Sequence, residues 1–453
     1  MKNHEIDQKI GINYYSTEDK GIGGILRKRL SDFKVREIDL NENVLPFFTY
    51  HKNYFHLKNK KIDFLEFYLQ KVGLSTFDAI RKISKLTKIN QNNFDFSGLK
   101  DKRGITVQNV SVEGNVINKL LELNEKDIII YNIKKGKKVY RGNHWGNHFK
   151  IIIREILIPK NDCNILINSI WNKIHKNGLL NYFGYQRFGT IRPITHLIGK
   201  EILRNQYELA IKKYLTFASN HENQDISNLR QIIIKDWPNI DNDIIKKIPD
   251  NLFFEKRLLE ECKFSNLDYF NILISVFKPN LIRLFIHAYQ SYLFNKLLSQ
   301  RSDIIGKKII HGDFIIILDY SGLPSRKIIQ IKENNVNLGN KLVNNHKAVL
   351  GIPLLGKDYI NNNKIISHYN FKSILKEEKI ILESFNFKDH PDMEINGGFR
   401  AAYIYPKGFK FKILKNIFDN KIGYCCDLSF SLQKGSYATI FLREFMKSNP
   451  LNY

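Results

Sequence analysis

Apolar and charged residues alternate over short segments in the first half of the chain. Residues 32–38, Asp-Phe-Lys-Val-Arg-Glu-Ile, change between the two kinds of side chain over most of their length. This period of two is typical of a strand with one buried face. Further segments with strand-like composition are residues 53–57, 93–96, 105–112 and 148–158. Together they predict a sheet in this part of the chain.

Helical spacing of apolar residues appears between these strands. In residues 64–72 the apolar side chains are spaced as on one helix face, at Leu65, Tyr68, Leu69 and Val72. Ser75 followed by Asp78 has the form of a capping box, which predicts a helix over 76–86. We therefore expect two helices here.

The pattern changes after about residue 190. Residues 194–300 are mostly helical in pattern, and residues 281–298 form the clearest helix. Its broad apolar face consists of Leu284, Phe285, Ala288, Tyr289, Tyr292 and Phe294. Residues 305–356 are rich in strand formers, and the chain ends with a predicted strand over 423–432, a turn at 434–436 and a helix over 438–446. This order predicts an α+β protein in which a discontinuous first domain is interrupted by an insertion.

The charge balance favours a polyanionic partner. The 453 residues include 71 Lys and Arg against 45 Asp and Glu, for a net charge of +26. RNA, DNA or an anionic membrane would suit that excess. A lysine-rich composition also arises from an AT-rich coding sequence, so charge alone does not decide between these interpretations. The apolar runs are far shorter than the roughly 20 residues of a membrane-spanning helix, which makes a membrane the weakest candidate.

Cysteine usage and the N-terminal residues indicate a reduced, intracellular protein. The four cysteines form neither a C-x-x-C pair nor a disulfide framework; they are Cys163, Cys262, Cys425 and Cys426. Residues 1–20 are polar and lack the apolar core of a secretory signal. Neither a zinc module nor a calcium loop is visible in the sequence.

Residues 97–108 hold the densest group of candidate catalytic side chains. Asp101 lies between Lys100 on one side and Lys102 and Arg103 on the other. Neighbouring cations favour the ionised carboxylate, which would then serve as a nucleophile or a base. The same cations suit phosphate contacts. The alternative interpretation is a solvated turn with one ion pair.

Residues 178–189 combine four aromatic residues, one arginine and three glycines. Aromatic faces with a neighbouring arginine are suited to base stacking and backbone contacts in RNA. A buried turn in the core would have a similar composition, and the sequence leaves both interpretations open. Residues 145–149, Trp-Gly-Asn-His-Phe, and the glycine turn in 432–439 are two further candidates.

Taken in chain order, these motifs resemble the TruD family of tRNA pseudouridine synthases. The matching segments are residues 32–37, 98–104 with Thr106 and Gln108, 146–149, 181–189, and 434–439 with Arg443 and Glu444. Five motifs in order are far more specific than any one of them. Residues 21–24 and 287–295 are most similar to the archaeal branch of the family.

The resemblance implies a mixed, largely antiparallel sheet of the pseudouridine synthase fold with helices, and an α/β insertion domain peculiar to this family. The catalytic domain would comprise 1–190 and 391–453, and the insertion domain 191–390. The implied reaction is isomerisation of uridine to pseudouridine, typically at uridine 13 in the D-arm of tRNA, by a monomer without metal or cofactor. A non-catalytic RNA-binding or RNA-folding protein is the alternative, since it would also explain the charge and the aromatic residues.

The resemblance also implies individual roles. Asp101 would be the catalytic aspartate, and Arg27 would take the place of the family's partner lysine, with Lys28 as the alternative. Asn147 and Phe149 would hold and stack the target base. The remaining residues implied to contact RNA are Asn181, Phe183, Gln186, Arg187, Lys100, Lys102 and Arg103. Whether the aspartate attacks C1′ or takes the C2′ proton stays open.

Overall fold

The computed structural model describes residues 4–49, 62–219, 222–238, 240–264, 268–304, 306–360, 371–418 and 421–453. The chain forms two compact units. The helical unit comprises Met1–Tyr15 and Leu180–Tyr403, and the sheet unit comprises Ser16–Leu179 and Ile404–Tyr453. The strand predicted at 53–57 lies outside the described residues.

The strands, in chain order, are β1 (Phe33–Ile38), β2 (Phe64–Val72), β3 (Phe94–Phe96), β4 (Ile105–Glu113), β5 (Ile128–Lys135), β6 (Gly146–Ile156), β7 (Leu179–Leu180), β8 (Phe314–Leu318), β9 (Pro324–Gln330), β10 (Ala348–Leu354), β11 (Gly398–Ala401), β12 (Tyr403–Ile404), β13 (Lys407–Phe418) and β14 (Lys421–Gln433). The α-helices are α1 (Glu5–Lys9), α2 (Thr76–Thr87), α3 (Ile117–Leu121), α4 (Lys160–Asn177), α5 (Thr195–Leu203), α6 (Tyr207–Thr216), α7 (Gln224–Asp236), α8 (Asn242–Lys246), α9 (Phe253–Phe264), α10 (Tyr269–Ile304), α11 (Val336–Asn344), α12 (Phe371–Glu378) and α13 (Ala438–Met446). Helices and strands both contribute substantially, as the predicted α+β class requires.

The sheet unit is built on an eight-stranded sheet in the order β13-β14-β6-β1-β4-β2-β5, with β3 also paired to β4. Among the pairings that the described residues form in this sheet, only β1–β4 is parallel. The prediction of a mixed, largely antiparallel sheet is therefore confirmed. One face of this sheet is covered by helices, since α2 packs on β2 and β4 and an aromatic residue of α13 contacts β14.

The predicted helix over 64–72 is wrong, because these residues form the strand β2. Alternate side chains are buried along β2, and the buried set ends with a lysine, Lys71. Because Lys71 is polar, the alternation of apolar and polar residues expected of a strand is incomplete in the sequence. In a segment of nine residues, such alternation is difficult to distinguish from helical spacing. Hydrogen bonding to β4 on one edge and to β5 on the other favours the strand.

The elements with the strongest local signals form as predicted. The Ser75 side chain accepts a hydrogen bond from Asp78 N at 3.1 Å, and the Asp78 carboxylate accepts one from Ser75 N at 3.4 Å. This reciprocal capping box starts α2 at Thr76. The C-terminal helix α13 spans the predicted residues 438–446. Strands β1, β3, β4, β6 and β14 also lie where the alternation predicts them.

The helical unit contains a four-stranded antiparallel sheet in the order β11-β10-β8-β9. Its longest helix, α10, is kinked at Lys278, which precedes Pro279 and has a φ of 59°. Over Tyr269–Asp303 this helix is long and apolar enough to cross a membrane, a test that core helices of soluble proteins also pass. Leu284, predicted on its apolar face, is exposed.

Candidate active site

Asp101 lies on the loop between β3 and β4 and is paired with Arg27. A guanidinium N–H of Arg27 donates to Asp101 Oδ2 over 2.9 Å, and the side chains are 12% and 46% exposed, respectively. The alternative cation, Lys28, forms its ion pair with Glu155. The carboxylate thus has one largely buried cation beside it and is itself about half exposed, so that a ligand can reach it.

The backbone of Arg27 adopts an unusual conformation that directs its side chain. Its φ of 56° lies in the left-handed region, which costs a residue other than glycine about 1–2 kcal/mol. Arg103 donates a hydrogen bond to the Arg27 carbonyl oxygen over 3.2 Å, and the guanidinium lies 4.2 Å from the centre of the Phe33 ring. Burial lowers the pKa of Arg27 and the charge of Asp101 opposes that change, so the guanidinium stays protonated.

Lys71 is a second buried cation, and it holds the Asp101 loop by its backbone. The Lys71 ammonium group donates to the carbonyl oxygens of Lys100 at 3.3 Å and Asp101 at 3.1 Å, and also to that of Leu74. An ammonium group has three N–H donors, so this arrangement uses all of them. Lys71 thereby fixes the backbone from which the Asp101 side chain projects.

A chain of hydrogen bonds connects the same loop to α2 and β4. The backbone N–H of Lys100 donates to Thr76 Oγ1 at 2.9 Å, and the Thr76 hydroxyl donates to Gln108 Oε1 at 2.9 Å. The Gln108 amide then donates to the Gly98 carbonyl oxygen at 3.2 Å. Each bond is buried or partly buried, and a network of this kind holds a loop in one conformation.

Lys100 has a different environment from its neighbours in the sequence. Its ammonium group lies 2.7 Å from the Glu37 carboxylate, and both side chains are only 3% exposed. Glu37 also accepts a hydrogen bond from Asn109 N at 3.3 Å. Lys102 and Arg103 are exposed instead. The Lys100 ammonium group therefore faces a buried carboxylate, whereas Lys102 and Arg103 face the solvent.

The loop closes against β1 at Gly104. A Cβ atom at this position would lie 2.4 Å from the Phe33 carbonyl oxygen, so only glycine fits without moving the backbone. The Gly104 carbonyl oxygen accepts a hydrogen bond from Gly73 N at 3.1 Å. A side chain at Gly104 would displace the loop from β1 and move Asp101 with it.

A buried cluster of aromatic residues lies beside Arg27 on one face of the sheet. The strand registers align one row of side chains across five strands: Lys71, Thr106, Val35, Phe149 and Phe430. Phe149, which is 7% exposed, stacks on Phe430 with ring centres 5.3 Å apart. It also meets the Phe33 ring edge-on at 6.3 Å. Because Phe33 contacts both Phe149 and Arg27, these two predicted site residues belong to one cluster.

Three buried polar atoms of this face have no hydrogen-bond partner among the described residues. They are Arg27 Nε, Thr106 Oγ1 and Asn147 Oδ1. Nearly all buried polar atoms in native proteins are paired, and leaving one unpaired costs about 1–3 kcal/mol. Arg27 contacts Asp101, and an unpaired polar atom in such a residue is typical of a site that completes its hydrogen bonds with a substrate.

Several supporting residues had no signal in the sequence that singled them out. Lys71 lies in the segment predicted as a helix. Phe33 and Glu37 lie in a motif that predicted a strand and resembled the family, but neither residue was given a role at the site. His144 also borders the loop, because a Cβ on Gly98 would lie 3.2 Å from its ring. Burial lowers the pKa of His144 to about 4, so its imidazole is neutral at neutral pH.

The other predicted RNA-binding residues belong to the helical unit. Asn181 is buried, donates to the Ala401 carbonyl oxygen at 2.9 Å and accepts from Arg400 at 2.8 Å. The Arg400 guanidinium lies 4.1 Å from the centre of the Phe183 ring. The sequence did not single out Arg400, which links Asn181 to Phe183.

Gln186 and Arg187 follow in a short 3₁₀ turn. The Gln186 side chain is exposed, and Arg187 donates to Ser291 Oγ over 3.1 Å. The exposed Gln186 is available to a large ligand, whereas Arg187 is already bonded to α10.

The described residues include no group of three or more His, Cys, Asp or Glu side chains that would hold a metal ion. The four cysteines are free thiols, and burial raises the pKa of Cys163 to about 11.

We expect Lys71 to contribute a distinctive dependence of stability on pH. Burial lowers its pKa from 10.5 to about 8 against the opposing effect of the Asp101 charge. Between these values the unfolded chain binds the proton and the folded chain does not, so this group makes the free energy of unfolding increase with pH. Between pH of about 8 and 10.5, the free energy of unfolding of wild type should increase by on the order of 3 kcal/mol relative to that of Lys71→Met.

Urea unfolding of both proteins across this pH range measures the effect. Lys102→Met, at an exposed position of the same loop, is the matched control. If the free energies of unfolding of wild type and Lys71→Met differ by the same amount at every pH in this range, the prediction is contradicted.

Comparisons with known proteins agree on one family. The family model described as "tRNA pseudouridine synthase D (TruD)" matches residues 9–445. A "Probable tRNA pseudouridine synthase D" from Methanosarcina acetivorans is 31% identical over 458 residues, covering 100% of this chain and 99% of that protein. A protein of the same description from Archaeoglobus fulgidus is 32% identical over 447 residues, covering 98% of this chain and 99% of that protein. A crystal structure described as that of the "Putative tRNA pseudouridine synthase D (TruD)" from Methanosarcina mazei matches with a TM-score of 0.77 and 30% identity over 100% of both chains.

The mixed sheet and these relatives define a tRNA pseudouridine synthase, an isomerase that converts uridine to pseudouridine in tRNA. The similarity to archaeal proteins, expected from the motifs, is confirmed. The chain belongs to the TruD family.

Proposed function

We propose that this enzyme isomerises uridine 13 in the D-arm of tRNA and that Asp101 is its catalytic aspartate. The observation that carries the proposal is the position of the Asp101 carboxylate, which lies on an anchored loop 2.9 Å from the Arg27 guanidinium and remains 46% exposed. A reacting carboxylate needs this combination, because it must be charged, held in place and accessible to the substrate.

The reaction itself requires only rearrangement within one nucleotide. The bond between C1′ and N1 breaks, the uracil turns, and a bond between C1′ and C5 forms; C5 loses a proton and N1 gains one. The target base must leave its stack before these atoms become accessible. Asp101 either attacks C1′ or removes the C2′ proton, and in both cases Arg27 stabilises the charged carboxylate. No atoms are gained or lost overall.

We assign Asn147 and Phe149 to the target base. The unpaired Oδ1 of Asn147 is suited to accept a hydrogen bond from a uracil N–H. Stacking of a base on an aromatic ring such as Phe149 contributes roughly 1–3 kcal/mol. Both residues lie on β6, on the sheet face that carries the Arg27 cluster.

Except for Lys100, the remaining predicted residues would contact the RNA outside the reacting nucleotide. Lys102 and Arg103 are exposed beside Asp101 and suit phosphates. We assign Lys100 to positioning the loop, because its ammonium group is bonded to Glu37. The predicted RNA-contacting residues in the helical unit are Asn181, Phe183, Gln186 and Arg187. The division into a catalytic domain (1–190 with 391–453) and an insertion domain (191–390), the monomeric state and the intracellular location stay predictions.

Mapping pseudouridine in tRNA tests this proposal. A tRNA transcript incubated with the enzyme should gain pseudouridine at uridine 13, detected by chemical labelling and mass spectrometry of nuclease fragments. A transcript with cytidine at position 13 should gain none at that position and serves as the control. Modification at another uridine would overturn the assignment of position 13, and binding without modification would favour the RNA-binding alternative.

A further inference from the structure

The sheet unit contains a second aromatic pocket, separate from the Arg27–Asp101 cluster. It is a cavity of about 530 Å³ between the start of α2, strand β3 and the segment before β6. The side chains that matter for its chemistry are aromatic or polar, and include Phe77, Phe96, Tyr140, Asn92, Asp95 and Arg141. This combination differs from a packed core, where the polar groups would be absent.

The aromatic side chains of this pocket are unusually exposed. Phe77 is 50% exposed and Tyr140 is 63% exposed. Phe77 meets the edge of the buried Phe96 ring at 5.7 Å and 83°. Exposed aromatic residues grouped around one cavity are typical of a binding site, because leaving them in water is unfavourable.

Two walls of the pocket are continuous with the catalytic loop. Phe77 follows Thr76, whose hydroxyl accepts the Lys100 backbone hydrogen bond at 2.9 Å. Phe96 is the last residue of β3, and the loop that carries Asp101 begins directly after it. A ligand in this pocket would therefore lie close to the loop at which the target nucleotide reacts.

The third wall is joined to the same loop. Tyr140 and Arg141 precede Gly142, and the backbone N–H of Gly142 donates to the Ser97 carbonyl oxygen over 2.7 Å. The pocket and the catalytic loop thus form one connected surface of the sheet unit.

We propose that this pocket binds a second unstacked base of the tRNA substrate, distinct from the uridine that reacts; this inference rests on the proposed function. Phe77 and Tyr140 provide ring faces for stacking, which is how proteins bind unpaired RNA bases. The Asn92 amide and the Asp95 carboxylate provide partners for the edge of the base. Arg141 is exposed and suits the adjoining phosphate.

The charge around the pocket favours RNA as its occupant. Arg81 lies one helical turn after Phe77 on α2 and is exposed, as is Arg141 on the opposite side of the pocket. Lys138 lies 3.4 Å from the Asp95 carboxylate. Aromatic residues between cations are typical of a surface for single-stranded nucleic acid, whereas a docking site for an apolar protein segment lacks the surrounding cations.

Binding measurements with pocket variants test the proposal. For Phe77→Ala and for Tyr140→Ala, the Kd for an unmodified tRNA transcript should rise about tenfold, as expected for the loss of one base stack. Phe77→Leu keeps apolar volume without a ring and should behave like the alanine variant, whereas Phe77→Tyr and Tyr140→Phe should bind like wild type. Ile165→Ala, at an exposed apolar position on α4, is the matched control and should leave Kd unchanged.

Abasic substitutions in the tRNA identify the bound nucleotide. One abasic position other than the reacting uridine should weaken binding to wild type but add no further loss in Phe77→Ala, because both changes remove the same contact. If Phe77→Leu binds as wild type does, or if every abasic position weakens wild type and Phe77→Ala equally, the pocket does not hold a base. If Phe77→Tyr and Tyr140→Phe bind tRNA as wild type does, the loss of affinity in the alanine variants comes from the missing ring and not from misfolding.

These readouts are independent of the catalytic assignment. Binding is measured without turnover, so the pocket variants lose affinity whether or not Asp101 proves to be the catalytic residue. Conversely, unchanged affinity in the pocket variants would overturn this inference and leave the proposed reaction at Asp101 intact.

Discussion

Replacement of Asp101 by asparagine should abolish pseudouridine formation and leave tRNA affinity within a few-fold of wild type. The change removes the negative charge that either attacks C1′ or takes the C2′ proton, while the side chain keeps its size. The carboxylate is the only acidic group of the anchored loop in residues 97–104, so no neighbour replaces it. We expect the rate to fall by a factor on the order of 1,000 or more.

Single-turnover assays with a tRNA transcript measure the rate, and filter binding measures the affinity. Asp162→Asn, at an exposed position in the first turn of α4, is a control for the loss of one carboxylate from the surface. Retained turnover in Asp101→Asn would show that another group performs the chemistry.

Removal of the cation at Arg27 should lower the rate of the chemical step with little effect on binding. A hydrogen bond to a charged group is worth about 1.5–3 kcal/mol, so the rate constant of Arg27→Met should fall roughly ten- to 100-fold. Arg27→Lys keeps the charge and should restore most of this loss. The φ of 56° at this position is equally accessible to lysine and arginine, so the backbone gives no reason for a difference.

The neighbouring lysine provides a matched control. Lys28 pairs with Glu155, and Lys28→Met should therefore change the rate by about twofold at most, as is usual for an exposed ion pair. A rise in KM without a fall in kcat for Arg27→Met would indicate that Arg27 contacts the RNA rather than the carboxylate. Equal losses in Arg27→Met and Lys28→Met would point to a general effect of charge.

Local chemistry explains why some elements were predictable. The capping box at Ser75 and Asp78 needs only residues three apart, so the sequence places the start of α2 correctly. The helix α13 likewise follows a glycine turn that is visible in the sequence. By contrast, β2 was predicted as a helix because the buried Lys71 interrupts its apolar alternation. The period of a short segment does not reveal a polar residue that tertiary contacts bury.

In the candidate site, too, local sequence patterns predicted some features and tertiary contacts decided others. Five motifs in order led to the TruD family, and within them Asp101 was singled out by the cations around it. Those cations looked equivalent in the sequence, yet Lys100 is buried against Glu37 while Lys102 and Arg103 are exposed. Adjacent residues on a loop point in different directions, so their burial depends on the elements that surround the loop.

The sequence by itself determined the family, the reaction class and most strands of the mixed sheet, because these depend on residue types and short spacings. The tertiary structure decided which cation pairs with Asp101. Arg27 and Lys28 are adjacent in the chain, and only the fold brings Arg27, rather than Lys28, to a residue 74 positions away. It also decided that Lys71 lies beneath the loop and that Phe77 and Tyr140 share one pocket. Such contacts join residues that are distant in sequence, so no local pattern specifies them.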